Sequence, residues 1–176
     1  MSRAVLAGLV LALSVPAAAD IFIVRHAERK DLKDDKSTLS AAGFKRAEDL
    51  RRVLSSVDLK AVYRTEYERT LQTAAPTAAA HRLTPIELKS DDVQGLAKAL
   101  RALPPLQDAL VVGHTDTIPD LLHELGVSTR AVIASGDYDN LFIVAPRANG
   151  EPDFHWLHYG DASAPAAAPA AMKRKP

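Results

Sequence analysis

The sequence predicts a single α/β domain, built as a three-layer α/β/α sandwich on a mostly parallel central sheet. From residue 21 onward, short β-rich runs alternate with stretches of helical period, the pattern of strand–helix–strand units. One run, Ala109-Leu110-Val111-Val112-Gly113, is apolar throughout, as a strand covered on both faces must be. The chain of 176 residues, 47% hydrophobic and 25% charged, can bury one sizeable core and leaves little room for a second.

Ahead of the first strand, Arg3, the apolar run from Ala4 to Val15 and the small residues Ala17, Ala18 and Ala19 after Pro16 have the layout of an export signal, cleaved before Asp20. An uncleaved anchoring helix is the other reading of residues 1–19. Both place the domain outside the cytoplasm, and the expectation is a periplasmic or secreted protein without stable membrane insertion after cleavage. Beyond residue 161 the chain becomes Ala/Pro-rich with a basic end and no apolar period. Residues 162–176 are therefore expected to be a disordered tail, and residues 20–161 the domain. Formal net charge is zero, but setting aside Arg3, Lys173, Arg174 and Lys175 leaves 18 basic against 22 acidic residues in the domain. That sign argues against a nucleic-acid partner. With no cysteine, a disulfide framework and a thiolate metal site are excluded.

The strand candidates are residues 21–25, 59–64, 85–88, 109–113, 141–145 and 154–158. Ser40 is placed to cap a first helix whose apolar face carries Phe44, Ala47, Leu50 and Leu54. Thr65, with Glu68 three residues on, has the form of a capping box for a second helix running towards His81, which Pro76 should kink or end. Asp92 caps a third, with Val93, Leu96, Ala97, Leu100 and Leu103 on one face. A fourth starts at Thr117 with Asp120 completing a box, carries Ile118, Leu121, Leu122 and Leu125, and stops at Gly126.

In open parallel sheets, ligands bind outside the carboxyl ends of the strands. The first strand ends in Arg25-His26-Ala27-Glu28-Arg29, the second leads through Arg64-Thr65 to Arg69, and the fourth ends in His114-Thr115-Asp116-Thr117. Arg25, Arg69, His26 and His114 could thus meet at one edge beside two helix N-termini. A phosphoryl group in transfer carries negative charge on three oxygens, and this set suits it. Guanidinium forks grip two oxygens, free backbone N–H groups add donors, and one neutral imidazole can attack phosphorus while the other donates to an oxygen. Each residue alone has a duller account: a surface Arg–His pair, a solvated helix charge at Arg69, a strand ending in a turn at Gly113-His114. Their combination is what points to function. His81, His123, His155 and His158 need only structural roles, and the charged run from Glu28 to Lys36 is most simply a solvated loop that could border the pocket mouth.

These motifs, in this order, resemble the histidine phosphatase superfamily, also called phosphoglycerate-mutase-like. The resemblance rests on Arg25-His26 after the first strand, Leu39-Ser40-Ala41-Ala42-Gly43 opening the first helix, Arg69-Thr70-Leu71-Gln72-Thr73-Ala74 in the second, and Gly113-His114 after the buried strand. The stretch from Gly113 to Leu122, with Tyr138-Asp139-Asn140-Leu141, is more similar to small exported members than to sugar-phosphate mutases. The resemblance implies that His26 is a nucleophile forming a phosphohistidine that water hydrolyses. It also implies that Arg25, Arg69 and His114 complete the phosphate pocket, that Glu28 orients the loop, and that no metal or cofactor is needed. The substrate would be a small phosphorylated molecule or a phosphoprotein.

Ala27 stands where the family usually has glycine, a change compatible with a backbone at negative φ. No family-like glutamate motif marks the general acid. Asp92 and Asp116 are equal candidates, and with neither, only activated substrates such as phosphoramidates or aryl phosphates would leave readily. Two rival readings use the same residues: a non-catalytic module holding phosphate or a phosphorylated glycan, and a metal hydrolase on His26, His114 and Asp116, disfavoured by two nearby arginines.

Overall fold

The structure, a computed structural model, describes residues 18–147 and 150–163. Residues 1–17 of the expected signal and the tail beyond 163 lie outside them. In chain order the elements are β1 (Ile21–Arg25), α1 (Ala41–Val53), β2 (Leu59–Thr65), α2 (Glu68–Ala80), β3 (Ile86–Leu88), α3 (Val93–Arg101), β4 (Asp108–Gly113), α4 (Thr117–Glu124), β5 (Asn140–Ala145) and β6 (Asp153–His158). The strands make one sheet in the order β3-β2-β4-β1-β5-β6. β3, β2, β4 and β1 are mutually parallel, and only β5 runs against its neighbours β1 and β6. This is the predicted α/β sandwich, with every strand within one residue of its expected bounds.

Period-2 alternation distributes the core to both faces of the sheet. Ile21, Ile23, Ala109, Val111 and Tyr63 pack with Ala97 and Leu100 of α3 and with Ile118, Leu121 and Leu122 of α4. Phe22, Val24, Leu110, Val112 and Val62 pack with Leu50 and Leu54 at α1 and with Ala74 and Ala78 of α2. A register shift in β2 between Leu59 and Ala61 sends these two residues, two apart, to opposite clusters. Burying an Ile, Leu or Val side chain contributes roughly 1.5–3 kcal/mol, so β1 and β4, buried along almost their whole length, form the best-anchored strip of the sheet. They pair in register from Ile21 opposite Ala109 to Arg25 opposite Gly113.

Several local expectations are corrected. Phe44 faces outward at 48% exposure, because the buried stripe of α1 runs through Gly43, Arg46, Ala47 and Leu50. Gly43 sets that rotation: a Cβ there would sit 2.3 Å from the carbonyl oxygen of Glu28, so the helix presses backbone to backbone at this point. Thr65 does not cap α2 but continues β2, paired with Leu88; α2 begins at Glu68 after Tyr67, without a side-chain cap. Nor does Pro76 end α2, which continues to Ala80 with Thr73, Ala74, Thr77 and Ala78 buried on either side of the proline. The Asp120 box is absent too: Asp116 precedes α4 with no capping bond, and the Thr117 hydroxyl instead accepts from the backbone N–H of His114 at 3.2 Å.

Ser40 and Asp92 cap α1 and α3 as expected, accepting from the N–H groups of Gly43 and Gly95. Ser163, just past the expected end of the domain, is bonded to the stretch before β5. The Ser163 hydroxyl accepts from the N–H groups of Tyr138 and Asp139 and donates to the Asp139 carboxylate at 2.6 Å. Among the described residues no helix is long and apolar enough to cross a membrane.

Candidate active site

Because β1 and β4 are adjacent and parallel, the residues that follow them leave the sheet side by side. The His26 N–H donates to the Gly113 carbonyl at 2.9 Å, and the rings of His26 and His114 stand 5.3 Å apart between centroids, inclined at 61°. Arg25 ends β1, and Arg69 reaches the same place from the first turn of α2. All four side chains are buried, none more than 8% exposed, and all line one open cleft of about 370 Å³.

Each group is held by identifiable contacts. Nδ1 of His26 lies 2.8 Å from the Ala27 carbonyl, which can only accept, so Nδ1 carries the proton and Nε2 keeps its lone pair. Burial, with the charges of Arg25, His114 and Arg69 around it, lowers the pKa of His26 to about 3, although the bond to Ala27 acts the other way. The ring is therefore neutral near pH 7. The backbone behind it is tied to α2, whose Thr73 hydroxyl accepts from the Ala27 N–H at 2.9 Å and whose Gln72 accepts from Leu39 N–H at 2.8 Å. It is tied to α1 as well: Arg46 grips the Glu28 carboxylate with Nε and Nη2, and the Ser40 N–H donates to the Glu28 carbonyl. Glu28 thus orients the loop, as expected.

His114 is lowered to about 4, chiefly by burial and then by Arg69, against opposing pulls from Asp116 and Glu66. Its Nε2 contacts the Thr65 hydroxyl at 2.8 Å and its Nδ1 lies 3.5 Å from Nη2 of Arg69. Arg25 sends Nη1 to the carbonyls of Ala134, Ser135 and Asp137 and lies 4.0 Å above the Tyr138 ring. Arg69 lies 4.1 Å above Tyr67 and donates through Nη1 to the Asp35 carbonyl at 2.5 Å. In both guanidinium groups Nε is buried without a protein partner. Neither arginine therefore has its N–H groups fully used by the protein.

The two general-acid candidates separate here. Asp92 accepts from Gly95 N–H as the cap of α3 and does not line the cleft, whereas Asp116 lines it and makes no capping bond. Of the neighbouring acids, Glu87 pairs with Arg64 and Glu66 accepts from Ser90, while Asp91 joins the cleft lining. Among the described residues no three His, Cys, Asp or Glu side chains are grouped to hold a metal, so His26, His114 and Asp116 do not form a zinc set. Arg29, which also lines the cleft, and the aromatic supports Tyr67 and Tyr138 carry no sign of a site role in the sequence. Arg29 sat inside a charged run, and no spacing rule marks an aromatic ring that will lie under an arginine from another element.

Residues 21–92 match the model of the histidine phosphatase superfamily (branch 1). No curated protein matches the sequence. Among solved structures, the protein histidine phosphatase SixA complexed with tungstate is 20% identical, with a TM-score of 0.66 over 80% of this chain and 96% of that one. Native mycobacterial glucosyl-3-phosphoglycerate phosphatase is 13% identical, with a TM-score of 0.63 over 84% of this chain and 100% of that one. The mycobacterial enzyme in complex with VO3 is 12% identical, with a TM-score of 0.63 over 81% and 98% of the two chains. The segment that matches the family model carries β1 with Arg25 and His26 as well as Arg69, and the fold shared with these solved phosphatases supplies the strand that presents His114.

Proposed function

We propose that the protein is a phosphatase that hydrolyses phosphate monoesters or phosphoramidates through a phosphohistidine on His26. The observation that carries this reading is the fixed tautomer of His26: a buried, neutral imidazole whose Nδ1 proton is held by the Ala27 carbonyl and whose Nε2 lone pair is unengaged. Arg25 and Arg69 bind the non-bridging oxygens, and His114 donates to one of them. Nε2 attacks phosphorus, the N–P bond forms, and the bond to the leaving group breaks. The leaving oxygen or nitrogen takes a proton from Asp116 or from water. Water then attacks phosphorus, the N–P bond breaks, phosphate departs, and the proton lost by water returns to the acid.

Structural neighbours that carry tungstate or VO3 are in keeping with an oxyanion site of this kind. The substrate is a small phosphorylated molecule or a phosphoprotein, and the reaction needs no cofactor. From the layout of residues 1–19, the domain is placed outside the cytoplasm, in the periplasm or secreted. The test is hydrolysis of an aryl phosphate by residues 20–176 in the presence of a chelator. The wild-type protein should turn over at its full rate and His26→Ala should show no detectable turnover; equal rates would defeat the proposal.

A further inference from the structure

Thr65 ends β2 with its side chain buried. Its hydroxyl oxygen lies 2.8 Å from Nε2 of His114 and 3.1 Å from the hydroxyl of Thr70. Thr70 has acceptors of its own, the carbonyls of Tyr67 at 2.7 Å and Thr65 at 2.9 Å, so its proton is committed there and its oxygen remains able to accept. The Thr65 hydroxyl can therefore serve His114 in either sense. It can donate to Nε2, or accept from Nε2–H while donating to Thr70. On the other side of the ring, Nδ1 is 3.5 Å from Nη2 of Arg69, which can only donate. That separation is long for a direct bond but short enough for one oxygen to accept from both nitrogens.

We propose that Thr65 is a positioning residue for phosphoryl transfer: with an anion in the cleft its hydroxyl donates to Nε2 of His114 and so keeps the ring proton on Nδ1, beside Arg69 Nη2, for a phosphoryl oxygen. In the empty cleft the same hydroxyl accepts from Nε2–H and passes its own proton to Thr70, while Nδ1 takes the Arg69 contact. Threonine lets the imidazole exchange tautomers without leaving a buried nitrogen unpartnered, which valine of nearly the same shape cannot do. The charged and titratable groups acting on His114 are Arg69, Asp116, Glu66, Arg25 and the neighbouring His26. The inference rests on the phosphoryl reading of the cleft, but it concerns where a proton sits, which inorganic phosphate can report without turnover.

The experiment has a spectroscopic arm and a kinetic arm. Long-range ¹H–¹⁵N correlation of the histidines, with and without inorganic phosphate, should show His114 protonated at Nδ1 in the phosphate complex of the wild type, and Thr65→Val should lose that preference. In kinetics, Thr65→Val should lose roughly 10- to 100-fold in kcat/KM through a misplaced donor, and Thr65→Ser should recover to within about threefold. The valine deficit should shrink only as pH falls to about 4, where His114 itself takes up a proton, because an imidazolium carries Nδ1–H whatever lies at Nε2. An Nε2–H tautomer in the wild-type phosphate complex, or a serine variant as impaired as the valine one, would overturn the proposal. If no substrate is turned over at all, the phosphatase reading fails while the tautomer measurement still decides the role of Thr65.

Discussion

The floor of the cleft and its acidic rim are built on different terms. On the floor, His26 and His114 follow two adjacent buried strands, Arg25 is fixed by three carbonyls and an aromatic ring, and Arg69 rests on Tyr67. At the rim, Asp116 begins α4 without a capping bond, and the other acids are either tied up elsewhere, as Asp92, Glu87 and Glu66 are, or merely adjacent, as Asp91 is. The difference teaches that the geometry for gripping a phosphoryl group is set by the fold itself. On the proposed mechanism, proton supply to the leaving group falls to Asp116, a side chain held by no capping bond.

If this contrast is right, damage to the floor should be indifferent to the leaving group and damage to the rim should not. Arg69→Ala is expected to lower kcat/KM by on the order of 10² to 10³ on alkyl, aryl and N-phosphoryl substrates alike, since every one presents the same three oxygens. Asp116→Asn should cost on the order of 10² on an alkyl phosphate, whose alkoxide needs a proton, and under about threefold on an aryl phosphate or phosphoramidate. Parallel assays on the three substrate classes check both, and an Asp116→Asn loss equal across them would remove Asp116 from the role of acid.

A smaller effect concerns stability. His26 and His114 are held near 3 and 4, chiefly by burial, against an ordinary 6.5. Between those values the unfolded chain binds protons that the folded chain refuses. The stability contributed by the two neutral rings is therefore fully present above about pH 6.5 and declines as pH falls towards 4. Thermal melts of the empty protein across that range should fall more steeply than those of His26→Ala, and added phosphate should flatten the curve by favouring charged imidazole. Identical slopes for the two proteins would show that the floor histidines are not held neutral by the fold.

How legible this was from sequence follows the same division. Strands and the four floor residues could be read because apolar runs and strand ends are local patterns, and the end of a parallel strand has a fixed functional meaning. The helix starts were less legible. Thr65 and Thr117 look like capping residues, but in the fold both hydroxyls serve His114, a partner the linear pattern does not reveal. Phe44 fails for a related reason: the face of α1 is decided by how closely Gly43 approaches Glu28, a contact between segments. Asp92 and Asp116 look alike in sequence, and only the position of α3 relative to the cleft separates them.

The central claim is that phosphorus is handed to Nε2 of His26. Mixing the protein with an excess of labelled aryl phosphate and quenching in alkali within milliseconds, then mapping the label by mass spectrometry, tests it most directly. Acid-labile, base-stable phosphate on the peptide carrying His26, absent from His26→Ala, is the result predicted here. Steady turnover with no label on the protein, or with label on another residue, would contradict it.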